Sequence, residues 1–173
     1  MKKLLWLDIE TTGLDERECS ILEISAIVTD ENLNELDTFD EVIHVGQSAL
    51  DQQMNDWCRK THTESGLLDD IAKSKNTRLT VQQSLLYFIE KNFGSEKPIM
   101  CGNSIHFDRG FLKQHMIGIV NKLHHRMIDV SGMNELFKLT KGIESPKHVS
   151  KHRGLSDVRD SIALAKRLLD RVS

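Results

Sequence analysis

The most constraining feature of this sequence is a pair of carboxylates inside an apolar, strand-like run near the amino terminus. Residues 3–9 (KLLWLDI) form a short apolar segment typical of a buried strand. Asp8 and Glu10 stand at positions i and i+2, so strand alternation places both on one face, while Leu7 and Ile9 point to the other. Two adjacent carboxylates repel each other unless a positive charge lies between them. Such a strand either holds a cation site or is an edge strand whose polar residues reach water.

The remainder of the chain alternates between strand-like and helix-like segments. Further strands are predicted at 21–30, 37–45, 98–103 and 126–130. Helices are predicted from residue 107, at 132–139 and in the C-terminal segment, with short helices and loops at 51–74. Three strands followed by alternating helices and strands predict an α/β fold with a mixed sheet.

Two of the predicted helices carry more detailed signals. Thr80 followed by Gln83 fits a capping box, and Leu85 and Phe88 continue at helical spacing. Near the C-terminus, apolar residues at i, i+4, i+7 and i+11 predict one buried stripe of an amphipathic helix: Val158, Ile162, Ala165 and Leu169.

Length and composition favour a single domain over residues 1–173. The sequence contains no internal repeat, low-complexity tract or Pro/Gly/Ser-rich linker. Its 26 acidic and 23 basic residues give a net charge of -3. This balance argues against a protein that grips long nucleic acid along its backbone, because such proteins carry a basic surplus.

The cysteines and the hydropathy pattern indicate a cytoplasmic protein without a membrane anchor. Cys19, Cys58 and Cys101 form an odd set without a CxxC pair, which is typical of a reduced intracellular protein rather than a disulfide scaffold or a zinc site. The apolar run after the two N-terminal lysines ends at Asp8, whereas a signal peptide needs roughly 7–15 apolar residues. No stretch approaches the roughly 20 apolar residues of a membrane span.

Two later motifs place further acidic residues at a strand end and a helix start. Asn103-Ser-Ile-His-Phe-Asp108 lies between a predicted strand and a helix, where Asp108 could serve simply as a helix cap. His152-Arg-Gly-Leu-Ser-Asp157 enters the last helix, where the helix dipole favours an Asp in the first turn. Taken alone, each motif has a structural explanation, and an isolated loop histidine is more often a surface residue than a catalyst.

Together the three motifs, D-x-E, N-x4-D and H-x4-D, resemble the DEDD exonuclease superfamily, in the subgroup whose last motif contains His. The resemblance implies a ribonuclease-H-like fold, with a mixed five-stranded sheet flanked by helices, and a metal-dependent phosphodiester hydrolase. It also implies a catalytic set: Asp8, Glu10, Asp108, Asp157 and His152. In that set the four carboxylates hold two divalent ions, with Asp8 bridging them and Asp108 acting directly or through water.

A site with two ions suits phosphodiester hydrolysis. The reaction places charge on the attacking water oxygen and on the leaving 3′ oxygen, and two ions about 3.5–4 Å apart stabilise both. Oxygen ligands select hard ions, so Mg²⁺ or Mn²⁺ is expected rather than zinc. Histidine accepts protons near neutral pH, so His152 is the expected general base.

Five longer segments narrow the resemblance to the oligoribonuclease family. These segments are LLWLDIETTGLD (4–15), MNDWCRKTHTESGL (54–67), CGNSIHFDRGFL (101–112), IDVSGMNEL (128–136) and HRGLSDVRDSI (152–162). Members of that family degrade very short RNAs, diribonucleotides especially, from the 3′ end to nucleoside 5′-monophosphates, and act as homodimers. The resemblance implies the same 3′-to-5′ exoribonuclease activity and homodimer here.

The resemblance also implies substrate contacts, each with a structural alternative. Leu14 would wedge against the bases, or would be an ordinary core leucine. Trp57 would stack on a base, or would anchor its own helix. His62 would touch the substrate, or would only order its loop.

A second group of implied contacts lies toward the substrate's phosphate. Asn103 and Ser104 resemble substrate-contacting positions, with strand-end polar caps as the alternative. Arg126 and Ser131 resemble residues that reach the 5′ phosphate of a substrate held by the partner protomer. Arginine suits a terminal phosphate because it bonds in a bidentate manner, although a surface salt bridge explains Arg126 equally well.

The sequence departs from the family pattern at two positions. His125 stands where the family usually has Tyr, and Phe107 stands where Gln is common. These departures bear on substrate contacts and rate rather than on the class of reaction. The alternative functions are a DNA-directed or tRNA-trimming exonuclease of the same superfamily and a non-catalytic metal- or nucleotide-binding module that retains the fold. The Trp57-to-Gly66 segment disfavours the first, and the intact set of carboxylates with His152 disfavours the second.

Overall fold

The computed structural model describes residues 2–142 and 150–171 of the chain. Within these residues lie five strands: β1 (Lys3–Thr11), β2 (Ile21–Asp30), β3 (Glu35–Val42), β4 (Met100–Gly102) and β5 (Met127–Asp129). The same residues form eight helices: α1 (Gln47–Gln53), α2 (Asp56–Glu64), α3 (Leu67–Lys73), α4 (Arg78–Phe93), α5 (His106–His115), α6 (Ile117–Lys122), α7 (Val130–Lys141) and α8 (Gly154–Asp170).

The strands form one mixed sheet in the order β3-β2-β1-β4-β5. Strand β2 is antiparallel to β1 and β3, whereas β4 is parallel to β1 and β5. This arrangement confirms the predicted α/β fold with a mixed five-stranded sheet flanked by helices. Because β1, β4 and β5 run in the same direction, the residues that follow them meet at one edge of the sheet.

The side chains of β1 alternate between the two faces of the sheet. Leu7 and Ile9 belong to the larger apolar core, which packs against α4, α5 and α6. Trp6 lies in a second core on the opposite face, together with residues of α8. Asp8 and Glu10 share the parity of Trp6, so both carboxylates lie on the α8 face, as the alternation predicts.

A third apolar cluster holds the short helices α1 to α3 against the start of β2. Leu22 of β2 is fully buried beneath Leu50, Cys58 and Ile71. Since β2 is antiparallel to β1, the start of β2 lies beside the end of β1 that carries Glu10. This cluster therefore places α2 and α3 next to the acidic residues, and it confirms that 51–74 forms short helices and loops.

Two detailed helix predictions are wrong in register. Helix α4 begins three residues earlier than predicted, because Thr77 and Thr80 cap each other: each side-chain oxygen accepts the other's backbone N–H. In α8, Leu168 is buried while Leu169 is 46% exposed. The inner face of α8 also includes the small residues Gly154 and Ser161. A search for large apolar residues at helical spacing does not detect them.

Among the helices of the described residues, none combines the length and apolarity needed to cross a membrane.

Candidate active site

The site lies where β1 extends beyond its parallel neighbour. Strand β1 pairs with β4 only through Leu5 and Trp6, so the later N–H groups on that side need other partners. The backbone N–H of Ile9 donates to Asp108 Oδ1 at 2.9 Å. Asp108 lies in the first turn of α5 and is 4% exposed. Asp108 therefore connects α5 to β1, in addition to its place in the first turn of its own helix.

Glycine at position 102 makes this close approach possible. A Cβ at Gly102 would lie 2.7 Å from the carbonyl oxygen of Leu7 and 2.7 Å from Ile105 Cδ1. Any larger residue would therefore push β4 away from β1 and displace the turn into α5. The glycine keeps Asp108 within reach of Ile9.

The third motif folds into a tight loop before α8. Ser150 Oγ donates to Asp157 Oδ2 at 2.6 Å and accepts the N–H of His152 at 3.0 Å. The N–H of Lys151 donates to Asp157 Oδ1 at 3.1 Å. His152 has φ of 51°, in the left-handed region that non-glycine residues rarely adopt. The loop thus holds the imidazole and the Asp157 carboxylate on one side of the helix start.

The motifs at opposite ends of the chain converge. One ligand atom each from Glu10, His152 and Asp157 lies within 4.8 Å of the other two. Asp8 and Asp108 complete the acidic cluster, because the charges of Asp108, Glu10 and Asp157 all act on Asp8. The structure therefore brings all five predicted catalytic residues to one site, separated by up to 149 positions in the sequence.

Burial and mutual repulsion oppose ionisation in this cluster. Desolvation, followed by the charges of Asp108 and Glu10, raises the pKa of Asp8 well above its usual range. Desolvation and the charge of Asp157 raise the pKa of Glu10 to about 8. Desolvation also raises the pKa of Asp108 to about 7, although the Ile9 N–H lowers it. Nearby cations stabilise the ionised form of carboxylic acids whose pKa values are raised in this way.

His62 is buried behind the cluster, at 2% exposure. Its Nε2 lies 2.9 Å from the carbonyl oxygen of Thr11, which can only accept, so Nε2 carries the hydrogen. Burial lowers the pKa of His62 and favours its neutral form. Its Nδ1 lies 4.0 Å from Glu10 Oε2 and has no hydrogen-bond partner among the described residues. The direct role of His62 toward substrate stays a prediction, and its observed contacts are with β1.

Two apolar side chains extend into solvent near the site. Leu14 is 82% exposed, so it is not a core residue. Trp57 is 61% exposed, and its ring meets His152 edge-on, with centroids 5.5 Å apart. The ring of Trp57 therefore lies beside the predicted base. Trp57 and His152 line an open cavity of about 540 Å³, together with Thr61, Glu64, Ser65, Ser150, Lys151 and Arg153.

The predicted phosphate-contacting residues fall into two groups. Ser104 and Ser131 lie together after β4 and β5, with their Oγ atoms 3.3 Å apart, and Asp129 accepts from both backbones. Ser131 is thus beside Ser104 of its own chain. Asn103 and Arg126 are exposed. Their substrate contacts stay predictions.

The two departures from the family pattern occupy different environments. Phe107 packs against Phe111 at the border of the larger core, with ring centroids 4.9 Å apart. His125 is exposed and lies against His124, with centroids 4.2 Å apart.

The sequence interpretation missed two residues that the structure places beside the cluster. Glu23 is 1% exposed and lies opposite Glu10 in the β1–β2 register. Arg153 donates to Glu23 Oε1 from Nε and Nη2, at 3.2 and 3.0 Å. A glutamate inside the apolar strand segment 21–30 was the available signal, of the same kind as Asp8 and Glu10.

Comparison with known proteins decides the family. Residues 5–165 match the Exonuclease family. The chain is 41% identical over 164 residues to an oligoribonuclease of Haemophilus influenzae, covering 93% of this chain and 90% of that protein. It is 38% identical over 163 residues to an oligoribonuclease of Francisella tularensis, covering 94% and 92%. This chain belongs to the oligoribonuclease family of exonucleases. As a member, it is a nuclease and a hydrolase.

Solved structures support the fold independently. Exonuclease I of Methylocaldum szegediense superimposes with a TM-score of 0.70 at 19% identity, covering 98% of this chain and 40% of that one. A zinc-bound complex of E. coli exonuclease I with single-stranded DNA gives a TM-score of 0.67 at 18% identity, covering 98% and 42%. This chain thus spans about two-fifths of those enzymes, and the likeness concerns the fold.

The residues of this oligoribonuclease site fit divalent cations. The donors are carboxylate oxygens, which hard ions such as Mg²⁺ and Mn²⁺ prefer, and the His152 imidazole lies beside them. The raised pKa values of Asp8, Glu10 and Asp108 show the same need for positive charge. Together with the family, the cluster points to divalent metal ions as the cofactor.

Proposed function

We propose that this protein is a 3′-to-5′ exoribonuclease that hydrolyses diribonucleotides and other short oligoribonucleotides to nucleoside 5′-monophosphates, using two divalent metal ions. The observation that carries the proposal is the convergence of Glu10, His152 and Asp157, beside Asp8 and Asp108. Membership of the oligoribonuclease family supports the substrate class.

The four carboxylates are the residues that would hold the ions. Asp8, Glu10 and Asp157 form one group on the α8 face, and Asp8 is also within the electrostatic reach of Asp108. When bound, the ions supply positive charge that stabilises the attacking and leaving oxygens of the phosphodiester. The geometry is compatible with Mg²⁺ and with Mn²⁺.

His152 is the residue proposed to accept the proton of the attacking water. Its ring lies within reach of the acidic cluster, and the ring of Trp57 packs against it at 90°. The Ser150 loop fixes its backbone. Because the imidazole is already oriented, the proton transfer needs no conformational search. Such positioning contributes strongly to the rate of an enzymatic reaction.

Leu14 and Trp57 are proposed to hold the bases of the substrate. Both present apolar surface to solvent at the site, and stacking on an aromatic ring is worth about 1–3 kcal/mol per base without sequence preference. Asn103 and Ser104 are proposed to contact the sugar-phosphate, and His62 to support the site from beneath.

A homodimer is proposed as the active form, with Arg126 and Ser131 contributing to the 5′-phosphate subsite. Leu136 and Leu139, spaced three residues apart on α7, are 59% and 82% exposed and offer an apolar face to a second copy. The short substrate agrees with the absence of a basic surplus, since one phosphate requires few cationic side chains.

The chain is proposed to act as one domain in the cytoplasm. Its three cysteines are free and buried, as expected of a protein from a reducing compartment. A single sheet, flanked on both faces by helices, carries Asp8 and Glu10, while Asp108 and Asp157 lie on helices that pack against it.

The experiment that tests the substrate assignment is a time course on 5′-labelled RNAs of two to seven nucleotides, with DNA of the same sequences as controls. We expect the diribonucleotide to be cleaved fastest and the DNA to be cleaved poorly. Rates that rise with length, or equal rates on DNA, would instead support the DNA-directed or tRNA-trimming alternative.

A further inference from the structure

Glu23 is a fifth carboxylate at the active site that the proposed mechanism leaves without a role. It lies in β2, directly across the strand pair from Glu10, and is 1% exposed. A buried glutamate is costly unless protein groups compensate its charge. Its partners therefore indicate what it does.

Both oxygens of Glu23 are engaged by residues that immediately follow His152. Oε1 accepts from Arg153 Nε and Nη2, and Oε2 accepts the backbone N–H of Gly154 at 2.8 Å. Gly154 is the first residue of α8, and the side chain of the N-cap residue makes no cap hydrogen bond. Glu23 thus caps α8 from a neighbouring strand, where a negative charge also complements the helix dipole.

Arg153 extends the connection to the helices beside the site. Its Nη1 lies 2.8 Å from Asp70 Oδ2 of α3 and 3.4 Å from the carbonyl oxygen of Ser65, which follows α2. One guanidinium therefore joins β2, α2 and α3 to the start of α8. A planar group with five donors suits this task better than a lysine ammonium would.

We propose that Glu23, Arg153 and Asp70 form an ionic clamp that positions His152 for catalysis. The clamp holds Arg153, the residue that follows His152. His152 itself has a left-handed backbone conformation, which requires support from its surroundings. Glu23 and Arg153 are positioning residues, since their polar groups are engaged with protein partners. The inference rests on the role proposed above for His152.

The test compares Arg153→Met with Arg159→Met as a matched control. Arg159 also joins α8 to the sheet, through Glu35 at 3.1 Å, but it lies beyond the loop of the active site and is half exposed. We expect Arg153→Met to lower kcat on a diribonucleotide by about 10- to 100-fold, with KM unchanged, because misplacement affects the reaction more than binding. Arg153→Lys should recover part of kcat, and Arg159→Met should behave as wild type.

The same substitutions in a His152→Ala background separate positioning from general stability. If the clamp acts through His152, Arg153→Met should cause a much smaller further loss when the imidazole is absent. Equal fold-losses of kcat in both backgrounds would overturn the clamp. A raised KM with an unchanged kcat would overturn it as well. Full activity of His152→Ala alone would instead refute the proposed mechanism, so the two failures are distinguishable.

Discussion

At the level of single residues, the acids of the site differ from ordinary surface carboxylates in how strongly their surroundings oppose charge. Glu10 shows the consequence most clearly, because burial and Asp157 raise its pKa from the usual 4.5 to about 8. Between those pH values the metal-free folded protein retains a proton that the unfolded chain releases. The contribution of Glu10 to the free energy of unfolding therefore falls as the pH rises from about 4.5 to about 8, and the folded protein becomes less stable.

Glu10→Gln should remove this pH dependence. In the presence of a chelator, the variant should melt at a higher temperature than wild type at pH 8.5, with the difference disappearing near pH 5. Each kcal/mol of repulsion removed corresponds to roughly 2–4 °C for a chain of this size. Added Mg²⁺ or Mn²⁺ should stabilise wild type more than the variant. Identical thermal profiles for both proteins across this range would contradict the electrostatic account of the site.

His152→Ala should slow the reaction while leaving binding intact. Loss of a general base lowers kcat by about 10²- to 10⁴-fold. Binding of the diribonucleotide and of Mn²⁺, measured by calorimetry, should remain close to wild type. His115→Ala is the control, since His115 packs against Phe111 and contacts the carbonyl oxygen of Glu16. Weakened binding with an unchanged rate of hydrolysis would exclude the proposed role.

At the level of elements, the close approach of α8 to β2 sets the geometry of the site. A Cβ at Gly154 would lie 2.7 Å from Ser25 Cβ and would overlap Ser25 Oγ. Because Gly154 follows Arg153 directly, any displacement here moves the loop that carries His152. The position of the catalytic loop therefore depends on the packing of Gly154 against Ser25.

Gly154→Ala should therefore destabilise the protein by about 1–3 kcal/mol, as overpacking does, and reduce kcat. Ser25→Gly in the same chain should restore both, and Ser25→Ala should restore less because its Cβ remains. Gly110→Ala in α5 is the control: a Cβ there meets nothing within 4 Å, so helix propensity should make it neutral or stabilising. Denaturant unfolding provides the measurement, and equal effects at the two glycines would contradict this packing argument.

Element types were predictable from the sequence, whereas their ends depended on partners distant in the chain. The alternation in β1 predicted which face would carry Asp8 and Glu10. The start of α4 was missed because Thr80 supplies the oxygen that a capping box usually takes from Glu or Gln. Strand β4 is shorter than predicted, at three residues, because it pairs only where β1 and β5 offer matching groups.

At the level of the whole molecule, the three catalytic motifs were visible in the sequence, but the residues that hold them together were not. The spacing of D-x-E, N-x4-D and H-x4-D pointed to the acidic cluster. Arg153 lies inside the H-x4-D motif, but nothing in the motif indicates its partner Glu23, because their contact spans 130 positions and depends on the fold. The burial of His62 likewise follows from the packing of α2 against β1.

The proposed dimer makes its own prediction at this scale. Replacing both Leu136 and Leu139 by Glu should convert the protein to a monomer in sedimentation experiments, because a charged face on α7 cannot be buried. If the partner's Arg126 and Ser131 complete the phosphate subsite, the monomer should show a raised KM for a 5′-phosphorylated diribonucleotide. A wild-type monomer with full activity would contradict the dimer proposal.

The most direct test of the central claim is hydrolysis of a 5′-labelled diribonucleotide by wild type, Asp8→Asn and Asp157→Asn in Mg²⁺ or Mn²⁺. Asp37→Asn is the matched control, because Asp37 pairs with Lys91 at 2.7 Å on β3, away from the cluster. We expect both site variants to remain folded and to release no mononucleotide above background, while the control retains activity. Full activity of either folded site variant would contradict the claim that this acidic cluster carries out the reaction.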